Sequence, residues 1–178
     1  MTPRRGLFVR LLRSGLADFT SPTVIVCGLA LVDDGIAWRA LGEAAQAVTA
    51  WLLLSVLWAA WRTRSLVRVA RGLGIEVSAD ALNGTQTHTL TGIPLARVRA
   101  GLGVARRASE VRGGNPVDFR WRPFRSRASA DGTVAYVEST GETHVEVRAG
   151  RRLGADVLLF RGAAFITLCQ LVRTLEGG

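Results

Sequence analysis

The chain has 178 residues, of which 48% are hydrophobic and 21% charged, and its 23 basic residues are all arginine, with a net charge of +9. This length allows one sizeable domain, or a smaller domain with an appendage. Two cysteines without metal-ligand spacing exclude a disulfide framework, and the positive charge predicts attraction to an anionic partner.

The first segment, residues 1–19, is basic, with four arginines and one acidic residue. Its stretch GLFVRLLRSGLADF mixes apolar residues with arginine in a way that predicts a short amphipathic helix along a membrane surface. Next comes the uncharged run 22–32, PTVIVCGLALV, which Thr20 or Ser21 could cap with Pro22 at the first helical position. Its 11 residues would rise roughly 16 Å, too short to cross a bilayer unaided. The run is therefore either a core or interfacial helix, or a span that begins near Leu16 or continues past Asp33 and Asp34.

The second uncharged run, residues 44–61, is longer and apolar on all sides. Its 18 residues would rise about 27 Å, close to the ~30 Å thickness of the hydrocarbon layer. The residues at its end, Trp58, Trp61, Arg62 and Arg64, match the aromatic and basic side chains that border a membrane. This pattern predicts a transmembrane helix.

The charges around the two runs predict their orientation. Residues 1–19 have a net charge of +3, the link 33–43 has −2 and residues 62–178 have +8. By the positive-inside rule, this distribution indicates a transmembrane helical hairpin over residues 20–66, with both termini in the cytoplasm. The protein would be a multi-pass protein of the cell membrane, in contact with membrane lipids.

Residues 67–178 predict a small antiparallel, strand-rich domain closed by a C-terminal amphipathic helix, which makes the fold class α+β. Asn83-Gly84 predicts a hairpin between strands Ile75–Leu82 and Thr85–Thr91, whereas LARVRAGLGVARR fits a strand pair or a helix equally well. A further hairpin is predicted to pair Val134 with Val147 and Tyr136 with Val145. Two elements follow, a strand at 155–160 and a helix over 163–175 with an apolar stripe.

The order GIEVSADAL…THTLTGIPLARVRAG, TVAYVESTGETHVEV and a final helix resembles the bacterial pleckstrin-homology-like (PH-like) domains that follow transmembrane hairpins. The resemblance covers roughly residues 70–176. It implies a small curved sheet, capped by the helix, on the cytoplasmic side of the membrane.

The segment VDFRWRPFRSR, residues 117–127, alternates aromatic residues with arginines. Arg120, Arg122, Arg125 and Arg127 could contact phosphates or lipid headgroups, with aromatic side chains stacking on bases or lying among headgroups. The other interpretation places Phe119 and Trp121 in the core, so that the arginines form an ordinary solvated face.

No constellation typical of catalysis, metal binding or cofactor binding is present, so we expect a protein that is not an enzyme and needs no cofactor. The sequence predicts a binding or scaffolding module on a membrane anchor, with anionic lipid, nucleic acid, a protein partner or a second copy as the partner. The alternative is a soluble nucleic-acid-binding or phage or plasmid assembly protein. In that alternative, residues 22–61 form a buried helical core or an oligomer interface.

Overall fold

A computed structural model describes residues 3–34, 38–123, 129–150 and 161–177. The chain divides into two compact units, Met1–Ser65 and Leu66–Gly178. The protein is α+β, with long helices in the first unit and a five-stranded antiparallel sheet in the second. The predicted strand at 155–160 lies outside the described residues.

The first unit consists of two long helices, α1 (Pro3–Asp34) and α2 (Trp38–Ala70), the second of which continues into the next unit. The sequence predicted that a new helix would begin at Pro22, but α1 continues through this position. The hydroxyl of Thr20 donates to the carbonyl of Leu16 at 2.6 Å, an interaction inside a helix rather than a cap. Proline removes one backbone donor, and α1 continues without that hydrogen bond.

The second unit is built on one sheet with the strand order β1-β5-β4-β3-β2. The strands are β1 (Thr85–Thr91), β2 (Ala108–Arg112), β3 (Val117–Trp121), β4 (Ala130–Val137) and β5 (Glu142–Ala149). Two helices, α3 (Leu95–Val104) and α4 (Ala163–Glu176), contact this sheet and each other. The core lies between the helices and one face of the sheet.

The predicted strand over Ile75–Leu82 is wrong, because Ala79–Leu82 forms a short 3-10 helix instead. Ser78 begins this turn by accepting from the backbone N–H of Asp80 at 3.1 Å. The side chain of Gln86 then donates to the Asp80 carbonyl at 2.6 Å. Short polar side chains that form hydrogen bonds with nearby backbone groups favour turns over strands. For this reason the alternating pattern of these residues did not produce a strand. The undecided stretch LARVRAGLGVARR contains helix α3.

The hairpin between β4 and β5 forms as predicted, but with a register shifted by two residues. Val134 pairs with Val145 and Tyr136 with Thr143. The turn covers residues 138–141, where Gly141 adopts φ 67° and donates to the Val137 carbonyl at 2.9 Å. A shift of two keeps every side chain on its predicted face, so the apolar face of the hairpin still faces the core.

The predicted C-terminal helix is confirmed by α4. All five residues of its predicted stripe are buried: Ala164, Leu168, Leu171, Val172 and Leu175. The chain before the sheet also contributes to this unit, since Arg173 of α4 donates to the carbonyl of Val69 at 3.2 Å. This helix completes the core of the second unit.

Candidate membrane helix and anion-contact residues

Helix α2 exposes an unusual number of large apolar side chains. Its stretch Gly42–Ala70 is long and apolar enough to cross a membrane, and only 11% of the most apolar part is buried within the chain. The side chain of Leu57 is 64% exposed. Similarly exposed positions on this helix are Val48, Leu52, Leu53, Leu54, Val56 and Trp61. Contiguous apolar surface of this kind marks a site that contacts lipid or protein.

From Ser55 onwards one face of α2 is buried, and the first residues on that face are small. Ser55 and Ala59 are fully buried, and Arg62, the next position at helical spacing, is 2% exposed. Gly15 of α1 lies against this face, because a side chain there would meet the backbone of Ser55 at 3.6 Å. The indole N–H of Trp51 also donates to the carbonyl of Leu16 at 3.1 Å. Small residues at the contact allow the two helices to approach closely.

The four predicted membrane-interface residues have different surroundings. Trp61 and Arg64 are exposed, as a residue at a headgroup layer would be. Trp58 is half-buried, with its ring over Gly15, and Arg62 is buried. The helical repeat explains the difference, since Arg62 follows Ser55 by seven residues, or two turns.

Only part of the predicted anion-contact segment is described, since Arg125 and Arg127 lie outside the described residues. Arg120 lies on the outer face of the sheet between two carboxylates, Glu110 at 2.6 Å and Asp131 at 3.1 Å. The hydrogen bond that Arg120 donates to Asp131 and the charge of Glu110 raise the pKa of Arg120. Its charge is therefore compensated within the sheet. Arg122 is exposed, just beyond the end of β3.

The aromatic residues of this segment belong to the core. Phe119 and Trp121 are 3% and 2% exposed, and their rings meet edge to face at 6.4 Å. The indole N–H of Trp121 donates to the side chain of Gln170 on α4 at 3.0 Å. Neither ring is exposed enough to stack on a base. Of the two interpretations of this segment, the one that places Phe119 and Trp121 in the core is therefore correct for these two residues.

The outer face of the sheet is polar and carries several acidic residues. Nδ1 of His144 forms a hydrogen bond with the hydroxyl of Thr89 at 3.0 Å. Nε2 of the same ring lies 3.6 Å from Oε2 of Glu142. His88 pairs with the buried Val145, so it points to the opposite face from His144. Among the described residues no cluster of three metal-ligating side chains occurs.

In comparisons with protein-family models, with curated proteins and with solved structures, nothing matches this chain.

Proposed function

We propose that this is a small integral membrane protein whose second unit is a non-catalytic binding module in the cytoplasm. The observation that carries the proposal is the apolar surface of α2, which remains exposed over several turns. Residues 44–61 of this helix contain no charged side chain. Lipid would cover this apolar surface. The backbone groups need no water there, because an α-helix forms its backbone hydrogen bonds within itself.

Helix α1 supports a transmembrane hairpin as the form of the anchor. Its second half also exposes large apolar residues, Val24, Ile25 and Leu29. The basic flanks and the acidic link then favour both termini in the cytoplasm. In the rival hypothesis, a soluble nucleic-acid-binding or assembly protein, other copies of the chain would have to cover the same surface.

The charge of the second unit supports a binding role. Leu66–Gly178 contains sixteen arginines and ten acidic residues, a net charge of +6. A basic domain held near the cytoplasmic leaflet is attracted to its anionic lipids and to other polyanions. The PH-like assignment remains a hypothesis for this unit, supported by a small sheet followed by a C-terminal helix.

An extraction experiment tests the anchor. Wild-type protein should stay in the membrane pellet after a carbonate wash. Leu54→Arg should lower that fraction, because a charge near the middle of the span costs roughly 2.5–3.5 kcal/mol on insertion scales. Leu54→Ala is the matched control and should remain in the pellet. Release of the wild type by carbonate, together with a detergent-free soluble oligomer on size-exclusion chromatography, would support the rival hypothesis instead.

A further inference from the structure

One end of the second unit combines an exposed apolar residue with three arginines. Helix α3 ends at Val104, and a turn closed by a hydrogen bond from Ala108 to the Ala105 carbonyl at 2.9 Å leads into β2. Because Ala108 pairs with Trp121, Arg107 and Arg122 are neighbours beyond the end of the ladder. The backbone N–H of Arg122 donates to the Arg107 carbonyl at 3.0 Å. We call this group the α3–β2 tip; its residues are Val104, Arg106, Arg107 and Arg122.

The side chains of the tip are open to solvent. Val104 is 82% exposed, more than any other large hydrophobic residue among those described. Arg106, Arg107 and Arg122 are exposed as well. Val104 is followed two and three residues later by Arg106 and Arg107, so an aliphatic side chain and cationic ones are exposed on the same stretch of chain.

The three tip arginines differ from the paired arginines of the sheet in their partners among the described residues. Arg107 donates to the carbonyl of Pro123 at 3.1 Å, which is a neutral acceptor. In the described part of the chain, no carboxylate forms an ion pair with any of the three tip arginines. Arg120 and Arg148, by contrast, are both paired with acidic residues. The structure thus separates arginines that are neutralised within the fold from arginines that are available to a partner.

We propose that the α3–β2 tip docks on an anionic bilayer surface, with its arginines among the phosphates and Val104 at the headgroup level. The inference rests on the proposed membrane anchor, since a helix continuous with this unit would keep it close to the bilayer. An apolar residue beside basic ones is the combination that binds membrane interfaces.

A membrane is a better match than nucleic acid for two reasons. The aromatic residues nearest the tip, Phe119 and Trp121, are in the core, so they provide no platform for bases. The aliphatic Val104 has no role against a phosphate backbone, but at the headgroup level of a bilayer it can contact the start of the acyl chains. On the outer face of the sheet, Asp131 is paired with Arg120 and Glu146 with Arg148. This face therefore offers an anionic surface little uncompensated positive charge, and it provides an internal reference.

The experiment uses the full chain reconstituted in lipid nanodiscs, with and without phosphatidylglycerol. In a Cys27→Ser background, an environment-sensitive fluorophore is attached at Val104→Cys or, as a reference, at Thr87→Cys on the outer sheet face. Lipids brominated near the headgroup should quench the probe at position 104 when phosphatidylglycerol is present. The probe at position 87 should be quenched little, and added salt should reduce quenching at 104, because salt screens exposed charges.

Two charge-matched variants complete the test. Arg106→Ser/Arg107→Ser/Arg122→Ser removes the tip arginines. Arg97→Ser/Arg99→Ser/Arg112→Ser removes the same formal charge at other exposed positions and leaves the ion-paired Arg120 and Arg148 in place. Each arginine near an anionic surface contributes about fivefold, so the tip variant should lower the ratio of docked to undocked domain on the order of 100-fold. The control variant should lose much less.

The outcomes separate this inference from the anchor. If the chain fails to enter nanodiscs, the anchor proposal fails, and the inference fails with it. If the chain is incorporated but positions 104 and 87 are quenched equally, or both triple variants lose quenching equally, the tip proposal alone is wrong. A further outcome is that the wild type binds a labelled DNA duplex and the tip variant does not, while the quenching of the two is the same. The tip is then a nucleic-acid surface and the proposal is overturned.

Discussion

Phe119 of β3 pairs directly with Gly132 of β4, and its ring occupies the space that a side chain at position 132 would fill. A β-carbon on Gly132 would lie 2.6 Å from Cε1 of the Phe119 ring. The contact fixes the ring that packs edge to face on Trp121, within the core. The space left by the missing side chain of Gly132 is thus filled by an aromatic ring from the neighbouring strand.

We therefore expect Gly132→Ala to destabilise the second unit by about 1–3 kcal/mol, the usual cost of overpacking a core. Denaturant unfolding of the full chain in detergent, followed by near-ultraviolet circular dichroism, measures the change. Gly103→Ala is the control, since nothing lies within 4 Å of that position and alanine favours the helix. Phe119→Leu in the Gly132→Ala background should restore part of the loss. An unchanged midpoint for Gly132→Ala would contradict the close contact.

The contact between α1 and α2 makes a second prediction. Gly15→Leu should lower the thermal stability of the detergent-solubilised protein. A β-carbon added at this position would lie 3.1 Å from the Trp58 ring, and the rest of the leucine side chain would need still more space. Gly6→Leu adds the same bulk to α1 where nothing lies within 4 Å, and it should have little effect. The prediction fails if the two variants have the same melting temperature.

Topology is the third prediction. With basic flanks on both sides of the two apolar runs, a reporter fused after Gly178 should report a cytoplasmic location. A tag inserted at Gly35, in the acidic link, should be accessible from outside intact cells. If the Gly35 tag is protected while the protein stays in the membrane pellet, α1 does not cross and the anchor is a single span or a re-entrant segment.

The fourth prediction concerns Cys169, whose side chain is fully buried on α4. Burial raises the pKa of this thiol from 9.0 to about 12, because the thiolate is poorly solvated there. In a Cys27→Ser background, a maleimide at pH 8 should therefore react with the folded protein far more slowly than with the unfolded protein. Mass spectrometry measures the two rates of modification. Equal rates for the folded and the unfolded protein would show that the thiol is accessible and would contradict the prediction.

The same shift predicts a loss of stability in alkali. Folding favours the neutral thiol, so the folded state retains a proton that the unfolded state loses between pH 9 and about 12. The stabilisation from Cys169 is complete below pH 9 and falls as the pH rises through this window. Cys169→Ala should remove this component of the alkaline pH dependence.

The sequence by itself determined the features that depend on local periodicity. The uncharged run 44–61 indicated one long apolar helix, and the stripe on α4 indicated which of its residues are buried. Alternation within β3 correctly placed Phe119 and Trp121 on one face, since side chains on a strand alternate between faces whatever the strand pairs with.

Tertiary structure alone decided the features that depend on which segments meet. From the sequence, Ser55 is a small polar residue in a span and Arg62 is an interface cation, but their contacts and burial follow from which face of α2 is covered. Arg120 could not be distinguished from Arg122, because its carboxylate partners come from β2 and β4, on either side of β3. The register of β4 and β5 depended on where the turn closes. Arg106 and Arg107 follow Val104 closely in the chain, but Arg122 joins them only because β2 pairs with β3.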